Sequence, residues 1–269
     1  MGDTRLIYRH RLATRIWHWL NAVTIVVLLM SGAMIFNAHP RLYWGAYGAN
    51  PDPAWLQISA DGRGGYLKIG ERRWNTDGVL GRWQAEDGSV RTNAFPSWAT
   101  IPSGYNLALA RRWHLAFALV LAFGLLAFLI VSLINRHIRR DLTLSLDEVK
   151  PGRLRQDVVE HLKLRFHNAD DPTAFNVLQK LSYIGVIFVA IPLAILTGLA
   201  MSPAMDVAWP WLLDLFGGRQ SARSIHFIVA ALLLAFIVVH LVLVILSGPL
   251  NGLRGMITGW MRVPTEAPK

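Results

Sequence analysis

His226 and His240 stand fourteen residues apart in an uncharged apolar stretch, residues 224–247. Fourteen residues of α-helix rise about 21 Å and turn through roughly 1400°, so the two imidazoles point to within about 40° of the same face. In a hydrocarbon core about 30 Å thick they fall near opposite sides. Two further histidines, His18 and His114, also lie in apolar stretches. An ionisable side chain inside a membrane marks a functional site by default. Neutral imidazole is a good axial ligand for haem iron. Two imidazoles on one iron fill both axial positions, so such a centre passes electrons with little rearrangement and offers oxygen no open site. The spacing predicts two metal centres in line across a bilayer.

The elements that carry these residues follow from composition. Of 269 residues, 53% are hydrophobic and 16% charged, which is membrane composition. Four stretches, 16–36, 113–135, 181–201 and 224–247, are long enough to span and contain no Asp, Glu, Lys or Arg. The expected fold is an all-α integral membrane protein, a single domain over 1–269 built as a four-helix transmembrane bundle. The first apolar run is longer than a signal-peptide core and lacks a small-residue cleavage site, so it reads as a retained span. The chain has no cysteine. That excludes disulfides, thiolate-held iron–sulfur clusters and covalent c-type haem; any haem is held non-covalently. The net charge of +10 fits basic membrane flanks rather than nucleic acid, for which no binding module is evident.

Topology sorts the histidines by depth. Arg5, Arg9, Arg11 and Arg15 precede the first span, the connection 136–177 is rich in Arg and Lys, and the tail adds Arg254, Arg262 and Lys269. The positive-inside rule makes this side, with both termini, cytoplasmic. The other side carries the loop 37–106, roughly seventy residues long, which translocates largely regardless of charge. Its five tryptophans and Gly-rich turns predict a folded outer cap with short strands near 66–69 and 79–84, acting as a surface lid or as a docking platform. Residues 154–166 and 250–261 read as amphipathic helices of the cytoplasmic interface. His18 and His240 then lie together toward the cytoplasm, and His114 and His226 toward the outer face. Each pair is placed to hold one iron.

Arginines flank these positions: Arg15 before His18, Arg111 and Arg112 before His114, and Arg223 before His226. They suit haem propionates and equally suit ordinary interfacial anchoring. Gly32, Gly124 and Gly198 would admit a flat macrocycle, or simply let helices pack closely. His10, His39, His137, His161 and His167 lie in flanks or loops and read as surface residues.

The segments Arg15-Ile-Trp-His18-Trp-Leu-Asn21, Arg112-Trp-His114, Phe175-Asn176-Val-Leu-Gln179-Lys180-Leu-Ser-Tyr183 and Thr197-Gly198-Leu199, with the His226 and His240 pair, resemble the membrane di-haem cytochrome b subunits of nickel–iron hydrogenases, formate dehydrogenases and thiosulfate-reductase-like molybdenum oxidoreductases. The resemblance covers all four spans. It implies a multi-pass protein of the bacterial plasma membrane with two non-covalent b haems, passing electrons between an extracytoplasmic partner and membrane quinone in a respiratory chain. The implied partner is first a molybdopterin oxidoreductase and second a pair of hydrogenase subunits; the quinone is menaquinone or ubiquinone. The implied quinone site uses Asn176, Gln179 and Lys180. By residue chemistry alone, Asn176 also reads as a helix cap and Lys180 as a snorkelling anchor. Two alternatives remain: a stand-alone di-haem membrane oxidoreductase, and a haem-free transporter or sensor with proton-relaying histidines.

Overall fold

The computed structural model describes residues 4–136, 150–162 and 177–264. Four helices are long and apolar enough to cross a membrane: α1 Leu12–Phe36, α2 Leu107–Ile134, α4 Val177–Ala200 and α7 Arg219–Leu246. Around them lie β1 Thr4–Tyr8, α3 Pro151–Leu162, α5 Pro203–Ala208, α6 Trp211–Leu215, α8 Pro249–Thr258 and β8 Trp260–Pro264. In lipid every backbone polar group must bond within its own segment, which is why the apolar runs are helical throughout. Leu133 and Phe123 are 67% and 66% exposed. Bare apolar surface of that extent suits contact with lipid tails and is unlike a water-facing helix.

The helices extend beyond the apolar runs. Asn106 caps α2, accepting a hydrogen bond at 3.0 Å from the Leu109 N–H, so His114 lies in the second turn and not at the opening. α7 begins at Arg219, straight after Gly217 and Gly218, both with positive φ. Arg219 pairs with Asp206 at 2.8 Å. Inside α4, Gly185–Ala190 forms a π-helical stretch just before Pro192. Proline lacks an N–H and crowds the preceding turn, and widening that turn relieves the clash.

The chain forms two compact units, and each of the four long helices contributes to both. One comprises Met1–Asn21, Phe123–Pro192 and Leu233–Lys269; the other comprises Ala22–Ala122 and Leu193–Leu232. In the first, β1 and β8 pair antiparallel, Thr4 opposite Pro264 and Tyr8 opposite Trp260. The Gly259 carbonyl accepts from the Arg9 N–H at 2.8 Å. α8 ends against α1, its last carbonyls taken by side chains: the Arg15 guanidinium donates to Ile257 and Thr258 and Trp19 Nε1 to Met256. A cation at a helix C-terminus is favoured by the dipole as well. Trp17 stacks on Phe128 with centroids 5.5 Å apart, and a Cβ on Gly124 would stand 2.8 Å from the Trp17 ring. Gly124 therefore serves helix packing.

In the second unit the long loop folds as a four-stranded antiparallel sheet, β2 Arg41–Leu42, β3 Leu56–Asp61, β4 Gly64–Ile69 and β5 Arg72–Asn75, with a separate pair β6 Trp83–Gln84 and β7 Val90–Arg91. The strand expected over 79–84 is only its last two residues. Residues 76–81 instead form a turn, because Gly78 and Gly81 take positive φ. Leu42, Leu56, Ile58 and Ala94 pack with Phe36 in one apolar cluster that Phe227 of α7 joins. The Asp77 carboxylate ties the turn together, accepting from the Gly65 N–H at 2.8 Å and from Arg82 at 2.7 and 2.8 Å. Those bonds, Arg82 first and Gly65 second, hold its pKa down at about 2. A folded-state pKa below the unfolded value means this stabilisation is present above the ordinary carboxylate range and is lost as pH falls through the folded pKa. Amide exchange at Gly65 should stay slow from neutral pH down to about 4 and quicken between about 4 and 2; Asp77→Asn should abolish that step.

Candidate metal centres

Each compact unit contains one histidine pair. In one, the ring centroids of His18 and His240 are 6.3 Å apart with planes at 59°. In the other, His114 and His226 are 6.1 Å apart at 63°. Two metal–nitrogen bonds of about 2.0 Å, each continued by the roughly 1.1 Å from a ring nitrogen to its imidazole centre, span about 6.2 Å. Both separations match one metal atom held between two imidazoles. Among the described residues no third His, Cys, Asp or Glu joins either pair. The remaining positions of a six-coordinate iron must then come from the cofactor, as the four nitrogens of a haem supply them. The donor set fits a bis-imidazole haem and does not fit a bare cation.

At the His114 and His226 pair the hydrogen bonding favours one tautomer. Ser31 Oγ donates to the Val27 carbonyl at 2.6 Å and lies 3.0 Å from His114 Nδ1. A hydroxyl has one proton. With that proton committed to a carbonyl, Ser31 accepts from Nδ1–H, which leaves the lone pair on Nε2. The same arrangement recurs across α4 and α7: Thr197 Oγ1 donates to Leu193 O at 2.6 Å and stands 3.0 Å from His226 Nδ1. Beside each hydroxyl is a glycine that faces the ring, tightly at Gly32 and at ordinary contact distance at Gly198. A Cβ on Gly32 would lie 3.3 Å from His114 Cε1, and one on Gly198 would lie 3.5 Å from His226 Cε1. These two glycines thus face imidazole rings, a third use beside the macrocycle approach and plain helix packing considered from sequence.

His18 is set differently. Trp19 meets its ring edge-on at 5.1 Å, and its Nδ1 is buried with no partner among the described residues. Phe236 stacks on His240 at 5.8 Å, one turn earlier on α7.

The expected flanking residues fall in several places. Arg15 bonds the end of α8, and its Nε is buried and unpartnered. Arg223 Nη2 donates to the His39 carbonyl, and the guanidinium lies 5.7 Å over the Phe36 ring. Arg111 and Arg112 are exposed. Gln179 and Lys180 lie in the first turn of α4, whereas Asn176 lies outside the described residues, as do His137 and His167. Two histidines read as surface residues are half-buried. His10 is depressed to about 4 by burial and then by Arg9, His18 and Arg15. His39 is lowered by burial, Arg223 and Arg41, and its Nε2 has no partner.

The outer end of α7 is tied to the loop. Gly45 N–H donates to Ser221 Oγ at 2.7 Å. Trp55 Nε1 donates to Ser224 Oγ at 2.9 Å, and that hydroxyl donates to Tyr43 O at 2.6 Å. Gly218 is required here, since a Cβ would stand 2.7 Å from Ala46 and its φ is +105°.

The model of the prokaryotic cytochrome b561 family matches residues 9–259. Over 233 residues the chain is 26% identical to a protein of Azospira oryzae named, provisionally, protein-methionine-sulfoxide reductase subunit YedZ1, covering 86% of this chain and 87% of that protein. No solved structure matches the chain significantly. The chain belongs to the prokaryotic cytochrome b561 family: it is a multi-pass haem b protein of the bacterial inner membrane, built for electron transport.

Proposed function

We propose that this protein is the membrane subunit of an oxidoreductase and carries electrons through two b haems, one between His18 and His240 and one between His114 and His226. The observation that carries the reading is the pair of ring separations, 6.3 and 6.1 Å, each the span of an imidazole–metal–imidazole unit. Haem iron held by such a pair would supply a one-electron couple. The chain's own residues do the rest. The four imidazoles hold Nε2 toward the metal, the apolar helices exclude water, and the arginines neutralise propionates: Arg112 and Arg223 at one site, Arg15 at the other through its unpartnered Nε.

The termini face the cytoplasm in this reading, and the folded loop faces outward. Electrons pass between menaquinone or ubiquinone, bound near Gln179, Lys180 and Asn176, and an extracytoplasmic partner in a respiratory chain. A molybdopterin oxidoreductase is the first partner and a hydrogenase pair the second. The name of the Azospira relative, a reductase subunit, supports a catalytic partner outside this chain.

Single substitutions test the pairing. His114→Ala and His226→Ala should each remove the same haem, and His18→Ala and His240→Ala the other, so four variants should give two residual spectra. Any of the four keeping the parent's haem content overturns the assignment. Reduction of both haems by a quinol analogue in proteoliposomes should slow in Lys180→Ala, with haem content unchanged. Gly32→Val should lower the haem-to-protein ratio by displacing His114, whereas Gly62→Ala, with open space around it, should leave it unaltered.

A further inference from the structure

Ser31-Gly32 and Thr197-Gly198 are the same two-residue device placed on different helices. In each, the hydroxyl stands 3.0 Å from an imidazole Nδ1, placed to accept its N–H, and the glycine next to it faces Cε1 of that ring. Ser31 and Thr197 are both 0% exposed. Buried in apolar surroundings, these hydrogen bonds are not weakened by competing water. A hydrogen bond from Nδ1–H draws the proton away from the ring and makes Nε2 a better electron donor. A better donor stabilises ferric iron more than ferrous iron. Both imidazoles of this pair receive the same bias. At the other pair, among the described residues, no acceptor meets His18 Nδ1 and no hydroxyl–glycine device is found.

We infer that Ser31 and Thr197 are positioning residues that hold down the midpoint potential of the centre between His114 and His226, and of that centre alone. The device also fixes ring rotation. Gly32 lets the His114 ring lie close against α1, and each hydroxyl pins its Nδ1, so the 63° between the ring planes is set by α1 and α4 and not by the iron. The inference rests on the proposal that a haem lies between these two histidines.

The test is spectroelectrochemical titration of the full-length protein in detergent, with low-temperature EPR of its ferric state. In Ser31→Ala and in Thr197→Val, one titration component should move to higher potential while the other stays in place. The expected change is roughly five- to tenfold in that component's equilibrium constant for reduction, the scale of one hydrogen bond. The double variant should move further. Ser31→Thr and Thr197→Ser, which keep the hydroxyl, should restore the parent value. The anisotropy of one low-spin ferric signal should change in the alanine and valine variants and not in the hydroxyl-retaining ones. Unchanged potentials and signals at full haem content would overturn the inference, as would equal movement of both components. Ser31 and Thr197 lie on separate helices, so misfolding of one variant leaves the other informative. If His114→Ala and His226→Ala retain the parent's haem, the haem assignment itself fails; if they lose haem while the hydroxyl variants are silent, only this inference fails.

Discussion

Two imidazoles facing each other at about 6 Å inside an apolar helix bundle are the constraint around which the rest of the molecule is arranged. The rings of each pair are too far apart to bond each other and leave space for an atom between them. Two such pairs in one chain make sense when each encloses a metal that accepts both lone pairs. The four long helices supply what a ligand set of this kind needs: positions fixed along rigid rods, surroundings free of competing carboxylates, and an apolar exterior that lipid covers.

The segments outside the spans serve to hold those rods in register. In one compact unit, β1 pairs with β8, and Arg15 and Trp19 cap the carbonyls at the end of α8. This ties the start of α1, where His18 lies, to the chain's far end. In the other unit, Ser221, Arg223 and Ser224 of α7 are bonded to the loop at Gly45, His39, Tyr43 and Trp55. All of these ties fall within about one and a half turns of His226. The loop's sheet therefore has a structural task at the site. Its exposed residues, such as Tyr47 at 89%, are available to a partner at the same time.

Much of this was legible in the chain itself. Charge-free apolar runs marked four helices, and the fourteen-residue interval put His226 and His240 on one face. The apolar runs stop short of the helix ends at Arg112, Lys180 and Arg223, while hydrogen bonding continues to Asn106 before α2 and to Gly218 before α7. Val79 and Leu80, followed by Trp83, carry β propensity and suggest a strand over 79–84, which the positive-φ Gly78 and Gly81 override over its first part. A lone hydroxyl in a span commonly bonds its own helix backbone, so Ser31 and Thr197 carry no ligand-partner signal in the sequence. Only a view of both helices shows that these hydroxyls do that and also accept from histidine. The pairing of β1 with β8 joins opposite ends of the chain and leaves no local signal. The π-helical stretch did have one, Pro192 within a span.

How much haem the chain holds, and how that haem is ligated, decides whether the two histidine pairs are haem sites. A pyridine haemochrome assay on purified, haem-replete protein, with a dithionite-reduced minus oxidised spectrum, measures this directly. Two b haems per chain, both low-spin, are predicted. A single haem would contradict one of the histidine pairs, and colourless protein would contradict both.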